Sequence, residues 1–302
     1  SGNHNQFLSS HTSSNTGAIN ESNESNESID STESSESSEV NASSSTYEFS
    51  SAFLSSARSL KKGMGLATFS GNRPDLVDLN VAWYYRWSMR IDNGVTDSSI
   101  EFVPMVWGWD ENTAQEIADR LPEWKENNVT HLLGFNEPDW ADQANISVET
   151  ALDAWPILEA TGLRLGSPAT IAPNNEWMVD FMAGAKERDL RVDFIAVHWY
   201  RRPVADEFIQ FLVDTYEMYN KPIWVTEFAP ADWNVLSVLE NPYTPEEYLA
   251  FMEEVFERME ELPYVERHAW FQFGLESPYG WPASIYDVGG SLLPLGESYR
   301  NY

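Results

Sequence analysis

Residues 130–138 read THLLGFNEP. The run is apolar and strand-like as far as Phe135, then ends in an amide, a carboxylate and a proline. Seven other runs share its texture: GMGLATF (63–69), VAWYYRW (81–87), FVPMVWG (102–108), LRLGSPATI (163–171), VDFIAVHWY (192–200), PIWVTEFAP (222–230) and ERHAWFQFG (266–274). Near-continuous apolar strands, as opposed to alternating ones, are what a parallel sheet covered on both faces requires. Between them lie amphipathic helix patterns at 110–127, 148–161 and 176–189, and the segment 244–262 opens on the capping sequence TPEE. Eight such strands with crossovers in about 240 residues predict an α/β fold of the (β/α)8 TIM-barrel type. The rival is an open doubly wound sheet, but no Gly-x-Gly-x-x-Gly or Gly-Lys-Ser/Thr loop follows any strand.

Upstream of the runs the texture is different. Residues 19–40 read INESNESNESIDSTESSESSEV, almost without large apolar side chains. Such a stretch cannot bury enough surface to offset its chain entropy, so residues 1–58 are expected to be a disordered Ser/Asn/Glu-rich tether, and 59–302 the folded domain. The tether holds four Asn-x-Ser sequons, at Asn20, Asn23, Asn26 and Asn41. They would carry sugar only in a eukaryotic secretory route.

Charge and composition exclude several functions. The formal net charge is −30, from 48 acidic and 18 basic residues, and such a field repels nucleic acid, anionic lipid and phosphorylated substrates. With so few basic groups the surface suits a saline medium, where screening removes self-repulsion. Cysteine is absent, which eliminates disulfides, thiolate nucleophiles and cysteine metal sites. No apolar run approaches the roughly 18 residues that a membrane span needs. The chain opens on serine without a visible signal peptide, as a mature or trimmed secreted chain would. A secreted or surface-tethered monomer is expected.

Barrel enzymes carry their reactive groups at the carboxyl ends of the strands. Glu137 ends the fourth run and Glu227 the seventh, and the chain between them has the length of three β/α repeats of about 30 residues. Two carboxylates facing each other across a barrel mouth suit glycoside hydrolysis, in which one is protonated to donate to the departing oxygen and the other ionised. Close like charges keep one member of such a pair protonated. The bland alternative for each is an exposed strand-end glutamate or an arginine pair. Asn136, beside Glu137, could hold a sugar hydroxyl or merely form a turn.

The chain holds 13 Trp and 13 Tyr, many at run ends, among them Trp87, Trp107, Trp140, Trp233 and Trp270. Indole faces bind the C–H faces of sugars, although aromatics also fill cores. Alternation puts His198 and Tyr200 on one side of the sixth strand, where His198 could orient the nucleophile or be a structural residue. No metal is expected, because the five histidines are scattered and none pairs with another at helical spacing. Ser167 lies in GSP and not in a Gly-x-Ser-x-Gly elbow, and nothing asks for a redox or nucleotide cofactor.

Taken together, GFNEPDWADQANIS (134–147), VHWY (197–200), WVTEFA (224–229), VERHAWFQF (265–273) and the closing YDVGGSLLPLGESY (286–299) resemble glycoside hydrolase family 128. The similarity extends over roughly residues 61–300, and the block with Gln143, Ala144 and Asn145 is its most specific part. The resemblance implies a retaining endo-β-1,3-glucanase on a (β/α)8 barrel, acting on long β-1,3-glucan chains or trimming oligosaccharides. By motif it makes Glu137 the acid/base and Glu227 the nucleophile. Asn136, Trp87, Trp107, Trp140, Gln143, Asn145, His198, Tyr200, Trp233 and Trp270 are the expected substrate contacts. A barrel β-1,4-mannanase or cellulase would keep both glutamates, and a non-catalytic glucan-binding wall protein would keep only the aromatics.

Overall fold

The computed structural model describes residues 58–67 and 73–302, so the tether and its sequons lie outside the described residues. Each of the eight apolar runs contains or overlaps one strand: β1 (Lys62–Gly65), β2 (Trp83–Tyr85), β3 (Glu101–Phe102), β4 (His131–Leu132), β5 (Arg164–Leu165), β6 (Ile195–Trp199), β7 (Ile223–Phe228) and β8 (Val265–Trp270). Six of them hydrogen-bond in the order β3-β2-β1-β8-β7-β6, and β4 pairs with β5, all in parallel. Single parallel bridges, Met105 to Leu133 and Gly166 to Phe194, join β3 to β4 and β5 to β6 and close the ring. Pro104 and Pro168 lie beside these thin joints, where their missing N–H groups shorten the ladder. The chain is a parallel α/β barrel.

Among the described residues six α-helices pack outside it: α1 (Thr113–Glu126), α2 (Val148–Glu159), α3 (Glu176–Glu187), α4 (Ala205–Tyr219), α5 (Pro245–Glu261) and α6 (Pro294–Asn301). The start of α5 is the expected capping box, with Thr244 accepting from the Glu247 amide and Glu247 returning the bond. The sequence reading missed α4 and α6. The first was legible, since Phe208, Leu212 and Thr215 recur at buried helical spacing. Among the described residues no helix connects β1 to β2 or β2 to β3, so the expectation of a helical crossover after every strand does not hold there.

The core has two layers. Trp83, Tyr85, Val103, Met105, Leu133, Phe194, Trp224 and Ala269 fill the barrel interior, while the larger layer lies between sheet and helices. At roughly 25 cal/mol per Å2 of apolar area their burial dominates stability. Space inside is tight enough to require glycine at Gly63, where a Cβ would meet the Trp83 indole at 2.1 Å. The amino-terminal end of the barrel is sealed by charge. Arg267 lies over the rings of Trp224 and Trp83 at 4.3 and 5.5 Å and pairs with Glu101, which also contacts His131 at 2.9 Å. Arg164 grips Glu266 with two bonds of 2.6 and 2.9 Å.

Candidate active site

At the carboxyl end of the barrel, β7 departs from simple alternation. Trp224 points into the barrel and Val225 into the outer layer, so strict alternation would send Glu227 outward with Val225. The pairing prevents this: register runs Val197 to Val225 and then His198 to Glu227, one step on β6 for two on β7. On the other side, Val225 to His268 is followed by Phe228 to Trp270, again one residue more on β7. This is a bulge, and it returns Glu227 to the inner face. Tyr85 bonds the displaced Thr226 carbonyl at 2.9 Å, and its hydroxyl lies 3.4 Å from Glu227.

Glu227 is buried, 6 % exposed, yet no lysine or arginine reaches it among the described residues. Trp87 donates its indole N–H to Oε1 at 2.7 Å, and Tyr200 its hydroxyl to Oε2 at 2.5 Å. Burial, and then the Glu227 charge, push the Tyr85 and Tyr200 hydroxyls well above their ordinary range, so both remain donors.

Glu137 faces this group from the end of β4. Its amide bonds the Ala169 carbonyl at 2.7 Å, and its φ of 41° lies in the left-handed region that side chains rarely adopt. Trp87 shares this feature at φ 50°. Backbone strain thus coincides with two residues of the mouth. His198 joins the carboxylates: Nδ1 lies 2.9 Å from Glu137 Oε1 and Nε2 3.5 Å from Glu227 Oε1. Burial would lower the imidazole pKa, but the charges of Glu227 and Glu137 outweigh it and raise the value above the ordinary 6.5.

Asn136 is buried behind Glu137. Its Nδ2 donates to Gln143 Oε1 at 3.2 Å, which leaves Oδ1 as an acceptor without a protein partner. Asp139, two residues beyond Glu137, accepts from the Asn175 side chain at 2.6 Å and ties the acid-bearing loop to the start of α3. Burial raises the Asp139 carboxyl pKa.

The mouth therefore brings together Glu137, Glu227, Asn136, Gln143, His198, Tyr200 and Trp87. As expected from alternation, His198 and Tyr200 share a face of β6 while Trp199 packs outward on Phe251. Trp233 extends the group, with its ring 5.6 Å from Tyr200 and 5.0 Å from Tyr279. Trp107 packs half-buried on the inner core, and Trp140 is half-buried in the loop after Glu137. Asn145 is exposed with φ 45°, a conformation that favours asparagine without any ligand.

Trp270 is a correction to the expected substrate contacts. It is 1 % exposed, bonds the Ala283 carbonyl and packs edge-on or tilted against Phe228, Phe251 and Phe256 in the outer layer. The physical reason is pleat parity: Ala269 faces inward, so Trp270 faces outward and Phe271 inward again. Phe271 lies 5.4 Å from Tyr200 and 6.1 Å from Trp87, and it is the aromatic that β8 contributes to the mouth. Tyr85 was missed too. Its place two residues before Trp87 was the available signal.

A parallel barrel with one glutamate after β4 and another on β7, surrounded by aromatic rings, defines a glycoside hydrolase. Residues 67–299 match the family model described as glycosyl hydrolase catalytic core. A subgroup I endo-β-1,3-glucanase of family 128 from Amycolatopsis mediterranei, solved with laminaripentaose, is 37% identical with a TM-score of 0.67 over 80% of this chain and 98% of that chain. A subgroup II endo-β-1,3-glucanase from Sorangium cellulosum is 30% identical with a TM-score of 0.63, over 80% and 97%. Alkali-sensitive linkage protein 1 of Schizosaccharomyces pombe is 28% identical over 238 residues, which are 76% of this chain and 42% of that protein. The chain thus spans about two fifths of that relative's length. It belongs to glycoside hydrolase family 128.

Proposed function

We propose that residues 59–302 form a retaining endo-β-1,3-glucanase that works by double displacement. The observation that carries this reading is distance: one carboxylate oxygen of Glu137, one of Glu227 and one His198 nitrogen all lie within 4.8 Å of one another. Retaining glycosidases hold their two carboxyl groups about 5–5.5 Å apart, whereas inverting ones leave about 6.5–9.5 Å for a water.

In this mechanism Glu227 attacks the anomeric carbon while protonated Glu137 gives its proton to the departing glycosidic oxygen. Glu137 then takes a proton from water, whose oxygen displaces Glu227 from the glycosyl enzyme. Trp87 and Tyr200 fix the attacking carboxylate by neutral donors, which leave it more nucleophilic than an arginine pair would. Asn136 Oδ1 accepts a sugar hydroxyl, and Trp107, Trp140, Trp233 and Phe271 offer ring faces to the glucan. The β-1,3 linkage is carried over from the two solved glucanases, which support it by sequence identity. The chain acts as a secreted or surface-tethered monomer, with residues 1–58 as a spacer. Among the described residues no helix is long and apolar enough to cross a membrane.

The test follows laminarin, curdlan, mannan and carboxymethylcellulose by product profile, with proton NMR of the first anomer released. A β-anomer from laminarin, lost in Glu137→Gln and Glu227→Gln, is expected. Initial release of the α-anomer, or near wild-type turnover in either variant, would overturn the reading.

A further inference from the structure

Glu137, His198 and Glu227 also form a donor set that the hydrolysis does not exhaust. His198 is 1 % exposed at its side chain, and its Nε2 has no hydrogen-bond partner although it lies 3.5 Å from Glu227 Oε1. With its proton on Nδ1, donated to Glu137 Oε1 at 2.9 Å, the neutral ring presents an Nε2 lone pair to the space beside the nucleophile. The Nε2 to Glu227 Oε1 distance is 3.5 Å. Two ligands about 2.1 Å from a tetrahedral zinc ion are separated by about 3.4 Å, so this pair already spans one edge of such a site. One carboxylate oxygen of Glu137 lies within 4.8 Å of a Glu227 oxygen and of a His198 nitrogen, and it supplies a third ligand by a side-chain rotation that gives up the bond to Nδ1. Imidazole with two carboxylates suits a borderline ion such as Zn2+ or Cu2+, whereas Mg2+ and Ca2+ prefer oxygen alone. The net charge of −30 raises the concentration of cations around the molecule.

We propose that the catalytic centre is an inhibitory site for a borderline divalent cation, held by Glu137, Glu227 and His198 Nε2. A bound ion joins the carboxylates to one another, removes the proton donor and occupies the position of the anomeric carbon. It therefore acts as a reversible competitor of glucan, and metal availability sets the fraction of active enzyme.

The experiment is calorimetric titration of the full chain with ZnCl2, and with MgCl2 for comparison, alongside laminarin hydrolysis. One Zn2+ per chain is expected, bound at least tenfold more tightly than Mg2+. Binding should weaken tenfold or more in both His198→Gln and Glu227→Gln, with folding checked by circular dichroism. Zn2+ should raise the KM for laminarin at unchanged kcat and be reversed by chelation. Zn2+ binding that persists in both variants, or that is no tighter than Mg2+, would place the ion elsewhere and sink the proposal. The inhibition arm rests on the glucanase reading and the binding arm does not, so wild-type protein that binds Zn2+ but hydrolyses no glucan would fault only that reading.

Discussion

The two ends of the barrel treat carboxylates in opposite ways. At the amino-terminal end Glu101 lies between Arg267, His131 and Thr130, and these partners outweigh burial and bring its pKa down to about 2. Glu266 is clamped by Arg164 and by the Trp224 indole. At the carboxyl end Glu227 receives neutral donors from Trp87 and Tyr200, and the only ion-pair partner of Glu137 or Glu227 among the described residues is His198, which itself titrates. Charge at the bottom is cancelled permanently, which serves stability. Charge at the mouth is left adjustable, as proton transfer requires.

Substitutions should separate the two ends. Glu227→Gln should abolish laminarin hydrolysis, and Glu137→Gln should lower kcat by about 10²–10⁴-fold, with urea midpoints little changed. Trp270→Ala, in the outer layer, should cost about 3–5 kcal/mol in urea unfolding. Phe271→Ala should instead raise KM with a smaller loss of stability, and equal effects of the two would contradict the assigned pleat. Arg267→Leu strands a half-buried Glu101 and should cost ~2–4 kcal/mol, less than a fully buried pair, with kcat unaffected.

Acid and base should discriminate further. The Glu101 pKa is depressed below its ordinary 4.5, so its contribution is present above that value and is lost as pH falls towards about 2. Arg267→Leu should flatten that acid limb of the stability curve. The His198 pKa is raised, so its contribution is complete below about 6.5 and is lost as pH climbs through its folded value. Melting temperatures of His198→Gln should lack that alkaline decline. The smallest effect concerns strain: Glu137→Asn places a residue tolerant of positive φ at 41° and should gain up to about 1 kcal/mol while losing activity.

Much of this was legible in the sequence, for physical reasons. Strands buried on both faces leave continuous apolar runs, so all eight could be located. The glutamates stood out because each ended such a run. Parity within a strand was not legible, because it depends on pairing with neighbours. Trp270 and Phe271 differ by one position and lie on opposite faces, and nothing in WFQF says which is inward. Asn145 likewise combines a polar type with a conformational need, and the type alone could not separate them. Tyr85 owes its role to the Thr226 carbonyl, a partner on β7 that is remote in sequence.

The bulge in β7 makes Thr226 a spacer whose value lies in being counted. Insert one more residue beside it, and the following residues slide by half a pleat: a phenyl ring would turn towards the mouth and the nucleophile towards the helices. Any graft of this strand into another barrel must therefore transplant its irregularity along with its glutamate. In evolutionary terms, a single codon here separates a catalyst from an inert scaffold of nearly the same shape.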